Sequence, residues 1–303
     1  MADAPVAADV PGVDRAGARL AVAERLTLAP YERVGGLRAA GRYVLLVVIA
    51  TVVLLPIYTT VVGAFKPRNR VLHNMLVPGY FTLDTFRDAW TQGNLGRYLL
   101  NSLIVATVAT AGQLITALFS AYAFAYLDFP ARRVMFAVFL ATLLVPAEAT
   151  YVVNRRTVDG LGWLNSYQGL IVPTLATAFG TFLMRQVLLS LPRDLRDAAR
   201  IDGVGHVGFL RHVAVPLVRP TLGALGLFGF LGTWNAYLWP RLITTDDEMN
   251  TVQAGLADLR AQGLDSPNLV MAGTVIAALP IVVILLLFQK QLIRGLTAGA
   301  VKG

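Results

Sequence analysis

PRDLRDAARIDGVGHVGFLRHVAVPLVRP, residues 192 to 220, is a polar, arginine-rich block set between long apolar runs. Pro192 ends one helix or starts the next, and Asp194 and Asp197 fall in the first turns after it, where carboxylates oppose the positive end of the helix dipole. This pattern predicts a short helix from about Arg193 to Asp202, a break at Gly203 and Gly205, and a second amphipathic piece from Val207 to Val215 that runs to Pro216 and the next span. Two short helices meeting at a glycine make a compact knob on a membrane surface. Composition leaves two readings open for the knob. It is either a handle for a partner, with Ala198 and Ala199 permitting close approach and Asp197 available to a basic group, or an interfacial loop with no partner.

The rest of the chain supplies the membrane. Of its 303 residues 56% are hydrophobic and only 15% charged, and mean hydropathy is +0.61, too apolar for an ordinary soluble domain of this size. A spanning helix needs about 20 mainly apolar residues. Six runs qualify: Tyr43 to Phe65, Leu99 to Tyr126, Val134 to Val153, Gly169 to Leu189, Leu217 to Leu238 and Leu269 to Phe288. The expected fold is therefore an all-α integral membrane protein of six transmembrane helices. A polar tail, residues 1–42, precedes a membrane domain over residues 43–295, and a loop over residues 190–216 lies within that domain. The first apolar run starts past residue 40, which argues against a cleaved signal peptide. Pro56, Pro146, Pro173 and Pro280 lie within the runs and predict kinks.

Orientation follows from lysine and arginine, which collect in cytoplasmic loops. With the N-terminus inside, the inner segments hold Arg15, Arg19, Arg25, Arg33, Arg38 and Arg42, then Arg132 and Arg133. Arg185, Arg193, Arg196, Arg200, Arg211 and Arg219 follow, then Lys290, Arg294 and Lys302, making 17 of the 26 basic residues. The 18 acidic residues divide evenly, so the whole net charge of +8 falls on the inner face. Both termini and the 192–220 block are thus expected in the cytoplasm of a bacterial plasma membrane. Basic charge next to apolar spans reflects this orientation and not nucleic-acid binding. The chain has no cysteine, which excludes disulfides and thiolate metal sites. His73, His206 and His212 are too scattered for a metal site, and no GxxxxGK[ST] phosphate loop occurs.

The Asp197-Ala198-Ala199 triplet, Gly203 and the Pro216-Leu217 pair resemble the EAA loop of ABC-importer permeases. NSLIVATVATAGQLITALFSAYAFA at 101–125, LGWLNSYQGLIVP at 161–173 and TWNAYLWPRLIT at 233–244 extend the likeness. Together they resemble the carbohydrate-uptake type, and within it the branch for glycerol-3-phosphate and glycerophosphodiesters such as glycerophosphocholine. The likeness spans about Tyr43 to Gly295. It implies the type I importer permease fold and a subunit that hydrolyses nothing itself, holds no cofactor and forms half of a translocation pathway worked by alternating access. The implied partners are a second homologous permease, a dimer of ATP-binding subunits that holds ATP and Mg, and an extracytoplasmic substrate-binding protein. By the same resemblance Ala198, Ala199 and Gly203 fit a cleft on the ATPase. Asp197 stands where the family usually has Glu, one methylene shorter.

Pathway residues are sought among polar groups in or beside the spans. Glu148 is the one acid well inside a predicted span. Asn154, Arg155 and Arg156 follow at the outer mouth, where paired guanidiniums suit phosphate. Trp234, Asn235 and Tyr237 end the fifth span, as an interfacial belt or as the lining of the path. Residues 241–267, rich in acid, and 81–97 are expected at the outer surface facing a binding protein. Ala106, Ala109, Ala117 and Ala121 serve helix packing. A neutral sugar of the trehalose or maltose type is the alternative substrate. The competing class, a stand-alone secondary transporter, calls for ion-coupling charges or a repeat, and the spans hold neither beyond Glu148.

Overall fold

In the computed structural model, residues 36–67, 70, 76–262 and 267–297 are described; most of the expected tail, with Arg15, Arg19, Arg25 and Arg33, lies outside them. The described residues are helices and connecting turns, with no strand. Contacts divide the chain at residue 57. Of the first unit the structure describes the opening of α1 (Gly36–Ala64), exposed from Ala40 to Ile57.

The second unit is built around α3 (Leu95–Tyr126), 32 residues preceded by the short α2 (Asp84–Gln92). At 1.5 Å per residue α3 is about 48 Å long, more than the hydrocarbon core requires. Its buried positions include Ala106, Ala109, Ala117 and Ala121, each at most 2% exposed. They let α7 (Ala178–Leu189) and α10 (Val215–Trp234) pack along it, as small residues do in membrane interfaces. A Cβ on Gly112 would lie 2.5 Å from Leu175 Cδ2, so a larger residue there would require the Leu175 side chain to turn aside. The last helix, α13 (Pro267–Thr297), contains Pro280 without a break and packs against α10 and α2.

Among the described residues four helices are long and apolar enough to cross a membrane, and six if each of two bent pairs counts as one span. The bent pairs correct the sequence expectation. The third run is not a continuous Val134–Val153 helix. Instead α4 (Arg132–Ala141) and a 3-10 turn to Leu144 are followed by α5 (Ala147–Gly160) at 102°. Val145 is extended, ψ 119°, the conformation that a following proline favours, and Pro146 turns the chain. The fourth run splits into α6 (Tyr167–Ile171), a 3-10 turn through Pro173, and α7, bent by 46°.

The carbonyls freed at that second break are met from α3. Gln113 Nε2 donates to Thr174 O at 3.0 Å and Thr116 Oγ1 to Leu175 O at 2.7 Å, while Thr177 caps α7 by accepting from Gly180 N. A broken helix in a membrane is stable only with such partners.

Candidate coupling face and translocation groove

The 192–220 block folds as α8 (Arg193–Ile201), a glycine turn, α9 (His206–Phe209) and a π-turn over Leu210–Ala214 that leads straight into α10. α8 and the turn lie where the sequence put them. The second piece does not stop at Pro216: the helix runs unbroken from His206 to Trp234. The π-turn widens the helix just before Pro216, whose ring would clash with the carbonyl four residues back in a regular helix.

Gly203 has φ +73°. Its N–H donates to Arg200 O at 3.1 Å and that of Val204 to Ala199 O at 2.8 Å, the paired bonds of a Schellman motif, whose left-handed residue is normally glycine. Ala199 is 7% exposed and packs in a core with Ala121, Tyr122, Met184, Leu188 and Phe209. Ala199, expected in a partner's cleft, is therefore turned into this chain's own core, while Gly203 forms the turn and is exposed. Asp197 and Ala198 are exposed and form the outward edge of α8. Arg196 lies over the Tyr126 ring, 5.3 Å from its centroid, and Tyr122 Oη is hydrogen-bonded to His206 Nδ1 at 2.9 Å. α8 is thereby rooted in α3, α7 and α9.

At the other end of α3 a polar lattice fixes the segment after α11 (Leu238–Ile243). Asn101, fully buried, donates to Glu248 O at 2.8 Å and Asn250 O at 2.9 Å and accepts from Tyr167 Oη at 2.8 Å. Ser102 Oγ accepts from Val252 N, opening α12 (Val252–Gln262), and Tyr98 Oη donates to Asp247. The acidic turn at 246–248 is thus held rigidly, its three carboxylates exposed.

Beside it runs an open groove of about 810 Å³ between the end of α10, α12 and α13. Its polar lining is Asn235, Tyr237, Gln253, Arg260 and Thr274; Leu256, Val270, Ala277 and Ile281 make apolar walls. Gln253 Nε2 donates to Asn235 Oδ1 at 3.4 Å. Asn235 and Tyr237 thus both line this groove. Trp234 does not: it is 1% exposed, stacked on Phe230 at 5.6 Å within the core, and is corrected from lining to packing residue. Glu148, Asn154, Arg155 and Arg156 share α5 and none lines the groove. Glu148 is exposed in the first turn after the elbow. Asn154 Nδ2 donates to Thr150 Oγ1 at 3.4 Å, Arg155 Nε donates to Leu242 O at 2.9 Å, and Arg156 is exposed.

Sequence reasoning missed Gln253, Arg260 and Thr274. The available signal was spacing: residues 253, 257 and 260 share one helix face, as do 270, 274, 277 and 281.

A family model for the inner-membrane component of binding-protein-dependent transport systems matches residues 113–298. The sn-glycerol-3-phosphate transport system permease proteins UgpE of Pectobacterium atrosepticum and Yersinia pestis are each 35% identical over 264 residues, 84% of this chain and 94% of theirs. Among solved structures, a bacterial ABC transporter involved in the import of the acidic polysaccharide alginate matches with TM-score 0.73 at 20% identity, over 93% of this chain and 99% of that one. The overall fold is thus shared with a solved ABC transporter, and the chain belongs to the permease family of binding-protein-dependent ABC importers.

Proposed function

We propose that this permease forms half of a translocation pathway for glycerol-3-phosphate or a glycerophosphodiester. The observation that carries the reading is the likeness to the UgpE permeases along 94% of their length, and a groove with one cation and no acid in its lining supports it. The 192–220 loop and both termini face the cytoplasm, and the acidic turn at 246–248 faces the side from which a binding protein delivers substrate. A second permease closes the open side of the groove. Arg155 and Arg156 draw anions to the outer mouth by long-range attraction, and Glu148 meets polar groups at the elbow.

ATP hydrolysis belongs to a partner chain, and the exposed edge of α8 receives its closure. Asp197 pairs there with a basic group of the ATPase, while Ala199, packed against α3 and α7, passes the displacement inward. Asp197→Lys is expected to abolish substrate-stimulated ATP hydrolysis in a complex that still assembles. Reconstitution tests the whole reading: liposomes holding the full complex with its binding protein take up glycerol-3-phosphate only with internal ATP. Uptake by this chain alone, or loading of the binding protein with a neutral sugar in place of a phosphoester, would refute it.

A further inference from the structure

Arg241 pairs with Asp258 at 2.8 Å, and Arg97 donates to Glu248 O and Arg155 to Leu242 O. Arg260 alone of these four has no hydrogen bond or ion pair within the described residues, and it alone lines the groove. The acid nearest to it along α12, Asp258, is turned away. Residues two positions apart on a helix point about 200° apart, and Asp258 is taken up by Arg241 and Asn250. The groove's lining contains no carboxylate.

A guanidinium with no partner among the described residues, set above apolar walls, has a stronger field than one in open water, and its planar fork matches a phosphate. Below it Gln253 and Asn235 supply amide groups that suit the hydroxyls of a polyol, and Thr274 adds a hydroxyl about 10 Å further along α13 from Pro267 at 1.5 Å per residue. The groove thus has a charged end and a neutral hydrogen-bonding stretch, the order in which a glycerol phosphate presents its own groups.

We propose that Arg260 is the charge-selecting residue of the pathway, engaging the phosphate and favouring a dianionic monoester over a zwitterionic diester. This rests on the reading that the substrate is a phosphoester and that the groove is part of its path. The test uses the complete transporter in proteoliposomes, comparing uptake of glycerol-3-phosphate and glycerophosphocholine by the unaltered permease, Arg260→Gln and Arg260→Lys. Each is supplied with binding protein already loaded, so that capture is not rate-setting. Arg260→Gln is expected to lower the monoester-to-diester uptake ratio roughly tenfold, in line with loss of one charge-assisted contact. Arg260→Lys is expected to keep most of the ratio, since the charge remains.

An unchanged ratio in Arg260→Gln, with both esters imported by the unaltered permease, overturns the assignment and leaves the substrate reading standing. Equal loss in the Lys and Gln variants also overturns it, because charge would then not be what matters. Import of neither ester by the unaltered permease brings down the substrate reading, and the assignment with it.

Discussion

Asn101 shows what a single buried amide does in this chain. With no exposure it satisfies two carbonyls of the turn at 248–250 and a phenol from α6. Asn101→Leu keeps the branched shape and leaves three groups unpaired, a cost of about 3 kcal/mol. Hydrogen exchange along residues 244–251 reads the outcome: protection is expected to collapse there first and to persist in α3. Residue by residue, legibility tracked chemistry that acts locally. Gly203 was placed correctly as a break because its left-handed backbone is a local demand. Asn235 and Tyr237 were singled out because they cluster at a span's end, and both line the groove. Trp234 was misplaced because adjacent residues on a helix point about 100° apart, so its neighbour's exposure says nothing of its own. Arg260 escaped notice because its value depends on Asp258 being committed to Arg241, a pairing between two helices.

At the scale of elements, hydropathy located each apolar run and missed the direction two of them take. A window of apolar residues measures length, while Pro146 and Pro173 decide whether that length is spent crossing the bilayer. The outcome at each proline depends on neighbours: Pro280 is carried inside α13, whereas the break after Pro173 is held open by Gln113 and Thr116 of α3. Those two side chains make the bend between α6 and α7 a property of the pair of helices. Gln113→Leu is expected to lower stability by about 1 kcal/mol, the usual worth of such bonds between membrane helices, as a reduced unfolding temperature in detergent. Thr116→Val on the same background should lower it further.

For the molecule as a whole, the charge distribution and the spans argued one topology, and the structure supplies positions at which to check it. The absence of cysteine means that a single introduced thiol reports without background. Asp202→Cys, exposed beside the glycine turn, should react with a membrane-impermeant maleimide only in inside-out vesicles, and Asp246→Cys only in right-side-out ones. The reverse pattern would invert every assignment of inside and outside made above. The elbow at Pro146 bears on how such a molecule is held together. From Arg132 to Leu144 the chain covers about 20 Å at 1.5 Å per residue, roughly two thirds of the hydrocarbon thickness. Such a limb cannot anchor itself. Its holdfast is Arg185 of α7, which lies 4.3 Å from the Phe136 centroid and donates to Phe124 O at 3.1 Å. The first limb of the third span is thus held in the finished fold by a residue of the fourth, and Arg185→Ala is expected to loosen it, read as faster hydrogen exchange over residues 132–144.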